Sequence, residues 1–279
     1  MITRRGRRVA VVSALVVVTL AVVGAVQLLR HTPLGAALGF GGSPACTLTT
    51  ADGDVEWSAV QAMTATTVAG VGTRIGASEN GVAAAVRRSL AVEREVEVSV
   101  PEARETYRRL PDVARPDDAA LAVGRALTGV RGPALTCTTP PAGADLPQEA
   151  LGPRGLTPRA DTVRAELRAT FGRQSLGGFE PGGVSSGHTE GSAHYDGRAL
   201  DVFYRPVTAA GTAQGWQLAM WGVAHAERLS VATVIFDRRL WSAARSVQGW
   251  RDYERPDGPT DNPILLHEDH VHLDVAPGG

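Results

Sequence analysis

An α+β chain is predicted, on three observations. Helical and strand periodicities alternate along its C-terminal half, glycine-rich turns separate them, and histidines gather where the turns meet the strands. At 279 residues the chain has room for a targeting segment plus one large or two small domains. Its 28 basic residues are all arginine and face 29 acidic ones. The resulting net charge of -1 gives no general attraction to polyanions, so nucleic acid is not an expected partner. Two cysteines allow one internal disulfide and exclude a cysteine-dominated zinc site. A transition metal would have to be held by histidine and carboxylate.

Residues 1–30 read as an arginine-rich cytoplasmic tip and a membrane anchor. Val9 to Leu29 carries no formal charge, and a helix of that length spans a bilayer core of roughly 30 Å. Arg4, Arg5, Arg7 and Arg8 precede it and only Arg30 closely follows. The positive-inside bias therefore places the rest of the chain outside the cell membrane, as a single-pass protein. The alternative is secretion after signal cleavage, although signal cores usually run only about 7 to 15 residues. Residues 31–45 form a Gly-, Ala- and Pro-containing spacer.

Outside the cytoplasm Cys46 and Cys137 are expected to pair. Closing a loop of about 90 residues would stabilise the fold by about 4 to 5 kcal/mol in the chain-entropy picture. Residues 46–137 read as a small, mostly helical domain. Val60, Met63, Thr67, Val68 and Val71 recur at three- and four-residue spacing, as do Val82, Val86 and Leu90. Arg94 to Val100 alternates as one strand would. Glu79 and Glu93 are isolated carboxylates, which are usually solvated surface groups. Residues 138–155, rich in Pro and Gly, read as an interdomain linker.

Residues 156–279 form the second domain. Thr157-Pro158 caps a helix to about 171, whose apolar face is Val163, Leu167 and Phe171. A glycine-rich stretch follows, then a strand over Arg198 to Tyr204, a helix over Trp216 to Leu229, a strand over Val231 to Phe236 and a last strand over Val271 to Val275. Trp216 and Trp221 are expected in the core, and Trp241 and Trp250 at a rim. His225, on the amphipathic helix, is expected to be structural.

Five of the seven histidines, His188, His194, His267, His270 and His272, border these strands. An extended His-x-His places both imidazoles on one face, because strand side chains alternate. Asp201 in one strand and His272 in an antiparallel neighbour, with His194 in the entering loop, could converge on a metal. Two histidines and one carboxylate leave a fourth tetrahedral position open, as catalytic zinc needs. Asp269 is the expected base, with His270 stabilising the oxyanion or holding the substrate carbonyl.

The pattern S-x-H-x-x-G-x-A-x-D, met at Ser192, His194, Gly197, Ala199 and Asp201, is followed by Asp269-His270-Val271-His272. It resembles the zinc peptidases of the D-alanyl-D-alanine carboxypeptidase and endolysin group, whose wider superfamily includes lysostaphin-type enzymes and the hedgehog signalling domain. Residues 155 to 275 also resemble the C-terminal domain of secreted actinobacterial proteins of that fold, through Pro181-Gly182-Gly183, Arg239-Leu240-Trp241 and Gly249-Trp250-Arg251 among other short matches. The resemblance implies an antiparallel-sheet domain, Zn²⁺ on His194, Asp201 and His272, Asp269 as base and His270 as an auxiliary group. It implies that Ser192 braces the ligand loop, and it points to peptidoglycan stem peptides or cross-links as substrate. Many members carry Glu where this chain has Asp269.

His188 and His267 are expected beside the metal without ligating it, and Arg198 is expected to hold either a substrate carboxylate or Asp196. The combined expectation is a membrane-anchored zinc peptidase acting on cell-wall peptides. The alternative is a non-catalytic cell-wall or partner-binding module on the same fold.

Overall fold

The computed structural model describes residues 45–50, 53–72, 132–140 and 145–279. The expected anchor and spacer, the Val82–Leu90 helix, the Arg94–Val100 strand, Glu79 and Glu93 lie outside the described residues. Among the described residues no helix is long and apolar enough to cross a membrane.

The fold is α+β with antiparallel sheets. Strands β1 (Ala45–Thr50) and β2 (Gly53–Ser58) form a hairpin, helix α1 (Ala59–Gly72) follows, and β3 (Leu135–Cys137) returns beside β1. Cys46 and Cys137 stand opposite each other in that ladder and form the disulfide. The described part of the segment expected to be mostly helical thus contributes three strands and one helix. Its strands are short and lack sustained apolar alternation, so their sequences carry little of the signal that their pairing supplies.

The rest of the chain builds a six-stranded sheet in the order β4-β5-β9-β6-β7-β8. These are Leu176–Gly177, Ala199–Phe203, His270–Val275, Val231–Phe236, Arg239–Ser242 and Arg251–Asp252 respectively. Helix α2 (Pro158–Phe171) starts as expected, with Thr157 Oγ1 accepting from the Ala160 amide. Helix α3 (Ala209–Ala224) begins well before Trp216, capped by Thr208, and gives way at His225 to the short α4 (Ala226–Leu229). Its N-terminal half contains two glycines, which hide it from a propensity reading. At Gly215 the reason is packing, because a Cβ there would stand 2.2 Å from the Phe236 ring.

Period two divides the central strands. Leu200, Val202, Val271, Leu273, Val275, Val234 and Phe236 point to one face and are buried in the core with residues of α2 and α3. Ala199, Asp201 and Phe203 of β5 stand opposite Asp274, His272 and His270 of β9 on the other face. The apolar face thus anchors the register that aligns the polar one, since a slip of one residue would exchange them.

The boundary expected at 138–155 does not separate two cores. Residues from 46–137 and 156–279 share one core. Trp241 Nε1 donates to the Cys137 carbonyl (3.2 Å) and Trp250 Nε1 to the Leu135 carbonyl (2.9 Å). Those bonds also correct the expected rim: Trp241 is fully buried and Trp250 packs against the core. His225 is buried between α1 and α3, with Nε2 3.2 Å from Thr67 Oγ1.

Candidate metal centre

The site lies on the polar face of the β5–β9 pair. Asp201 and His272 are register partners, so a sequence separation of 71 reduces to one rung of the ladder. His194 enters from the turn before β5. Its Nδ1 is 2.7 Å from the Gly178 carbonyl, and its Nε2 faces the strand pair. Ser192 Oγ accepts from the His194 amide within that turn.

His194 Nε2, Asp201 Oδ1 and His272 Nδ1 form a triangle with sides of 3.1, 3.2 and 3.4 Å. Ligands about 2.0 to 2.1 Å from a tetrahedral zinc stand roughly 3.3 to 3.4 Å from one another. The donor set and its spacing therefore fit such an ion, and all three residues are buried. Gly178 makes the close approach possible. It has φ +77, and a Cβ there would stand 2.3 Å from His194 Cε1 and 3.0 Å from Asp201 Oδ2.

Electrostatics ties the cluster together before any metal arrives. Burial works against charge on Asp201, yet hydrogen bonds from His194 and His272 outweigh it and hold the carboxyl well below its usual range. Burial likewise opposes charge on His272, but Asp201 and Asp274 prevail and its pKa is pushed up to about 9. A metal must therefore displace a proton from His272 at any pH below about 9. Zinc affinity is expected to weaken as pH falls below about 9, with release of the His272 proton on binding. Chelator competition across pH and calorimetry in buffers of different ionisation enthalpy read both quantities.

His270 and Asp269 stand beside the triangle. His270 Nδ1 is 2.7 Å from Asp269 Oδ1, and His270 Nε2 is 3.8 Å from Asp201 Oδ1. The other Asp269 oxygen accepts from Arg205 Nε, and Arg205 lies over the Phe203 ring, 4.2 Å from its centroid. Burial would raise the Asp269 carboxyl, but His270 and Arg205 hold it below its usual range.

His188 stacks on His194 with ring centroids 4.0 Å apart, and burial lowers its pKa. His267 packs against Tyr253 and His270, and burial with its imidazole neighbours pushes its pKa down to about 2. The triangle includes neither residue. Arg198 binds Asp196 (2.9 Å) and the Val275 carbonyl (3.0 Å), so it splints the end of β9 to the turn.

Sequence reasoning passed over Asp274, Arg205 and Gly178. Asp274 Oδ2 is 3.4 Å from His272 Nε2. The available signal was its place two residues beyond His272, hence on the same strand face. Nothing local marks Arg205, whose partner lies 64 residues away, or the Gly178 carbonyl.

Residues 152–264, less than half of the chain, match the family model for the VldE C-terminal domain. VldE is a peptidase M15-like family. The matched stretch contains His194 and Asp201 and ends before Asp269, His270 and His272. No curated protein and no solved structure gives a significant match.

Proposed function

We propose that the chain is a zinc-dependent peptidase that hydrolyses amide bonds in peptidoglycan peptides outside the cell membrane, tethered there by Val9 to Leu29. One observation carries the reading: a buried His194–Asp201–His272 triangle with the edge lengths of a tetrahedral site, beside a second imidazole backed by its own carboxylate. Three protein ligands leave one position for solvent or substrate. The VldE match supports the peptidase class. The Cys46–Cys137 disulfide and the arginine bias before the apolar run support the compartment.

Zinc held there would supply Lewis acidity, polarising a peptide carbonyl and activating water. The chain's own groups handle the proton. Both Asp269 oxygens are engaged, one by His270 and one by Arg205. This favours a division of work different from the one read in the sequence. With Nδ1–H donated to Asp269, His270 keeps Nε2 to accept the proton from the attacking water. Asp269 orients the ring and stabilises its cationic form. As the C–N bond breaks, His270 Nε2 returns that proton to the leaving amine.

The test is zinc content of the full chain together with digestion of defined muropeptides followed by mass spectrometry. One zinc per chain and a new amine and carboxylate at one peptide bond are expected. Zinc without cleavage of any muropeptide would favour the binding-module alternative, and no zinc would defeat the metal reading.

A further inference from the structure

We infer that Asp274 is a positioning residue, which fixes His272 for metal binding by accepting its Nε2–H and so leaving Nδ1 as the ligating nitrogen. The inference rests on the metal reading above and goes beyond its ligand set.

Asp269 immediately precedes the strand residues His270-Val271-His272-Leu273-Asp274, and each imidazole meets one of the two carboxylates. Asp269 takes a ring nitrogen of His270, and Asp274 Oδ2 lies 3.4 Å from Nε2 of His272. Each histidine then turns its other nitrogen to Asp201 Oδ1, at 3.8 Å from His270 Nε2 and 3.2 Å from His272 Nδ1. An imidazole with one N–H committed to a carboxylate has a fixed tautomer and ring orientation and is a more basic ligand.

The local fold is built to present Asp274. Its register partner on β5 is Ala199, whose small side chain leaves room on that face. On the other side the β6–β9 register shifts between Val231 and Thr233, opposite Val275 and Asp274. Irregularities of this kind re-aim a side chain next to a site. Arg198 secures the next residue, since its amide carbonyl and guanidinium both bond to the Val275 backbone. His194 is held in a parallel way by the Gly178 carbonyl on Nδ1, so both ligating imidazoles have an outward partner.

The experiment compares zinc affinity by chelator competition for the full chain, Asp274→Ala and Asp274→Asn. Imidazole ¹⁵N correlation spectra of the zinc-loaded proteins accompany it. Asp274→Ala is expected to lose about 10- to 100-fold in affinity, together with the solvent-protected Nε2–H signal of His272. Asp274→Asn keeps an oxygen acceptor and shape, and is expected to recover most of both. A purely structural role would lower the melting temperature without moving that signal, and would overturn the inference. So would wild-type affinity in Asp274→Ala. Absence of zinc from the wild type itself defeats the metal reading, and this inference with it, which separates that failure from the failure of Asp274 alone.

Discussion

Asp201→Asn is expected to weaken zinc binding severely and to abolish hydrolysis. The Asp201 carboxylate is the one anion in the triangle, and its Oδ1 lies within 3.4 Å of both imidazoles of the triangle. Its pKa is held far below the usual range, so the charge is present at every working pH. An amide of the same shape keeps an oxygen but removes that charge. Affinity should fall by more than the 10- to 100-fold that outer partners cost, and turnover should fall to background with it. His272 loses one of the two carboxylates that raise its pKa, so the pH dependence of residual binding should shift downward. Zinc stoichiometry after dialysis and muropeptide digestion measure both effects. A variant that still holds one zinc with wild-type affinity would remove Asp201 from the centre.

The second large effect separates chemistry from metal binding. His270→Ala is expected to lower kcat by about 10²- to 10⁴-fold, the range for removing a positioned acid–base group, while zinc affinity changes little. Asp269→Asn is expected to do the same, because the imidazole then loses the anion that orients it and stabilises its cation. Neither residue belongs to the triangle, so zinc content is the control that distinguishes these variants from Asp201→Asn. Steady-state kinetics on one defined stem peptide give the measurement. If His270→Ala keeps kcat within about threefold, proton transfer does not run through Nε2, and the assignment returns to Asp269.

The range over which an interaction acts decides whether a feature is legible in the sequence. The α2 start at Thr157-Pro158 and the shared face of His270 and His272 follow from local periodicity and capping, which neighbours in sequence decide. The meeting of His194, Asp201 and His272 was legible because both flanking strands showed their alternation. The start of α3 was hidden by two glycines, of which Gly215 lets the Phe236 ring approach. The burial of Trp241 was hidden because its hydrogen-bond partner, the Cys137 carbonyl, lies 104 residues away.

The amino-acid sequence alone determined the chemistry available: no Cys-rich metal site, histidines at strand borders, a carboxylate two rungs into a strand, and one possible internal disulfide. These follow from composition and from periods of two and 3.6, which are properties of short segments. Only the tertiary structure decided that one core unites the two segments, that Asp269 is engaged on both oxygens, and that Asp274 backs His272. Those facts depend on which strand lies beside which and at what register. That choice is made by burying the apolar face across the whole sheet, a sum no local stretch of sequence contains.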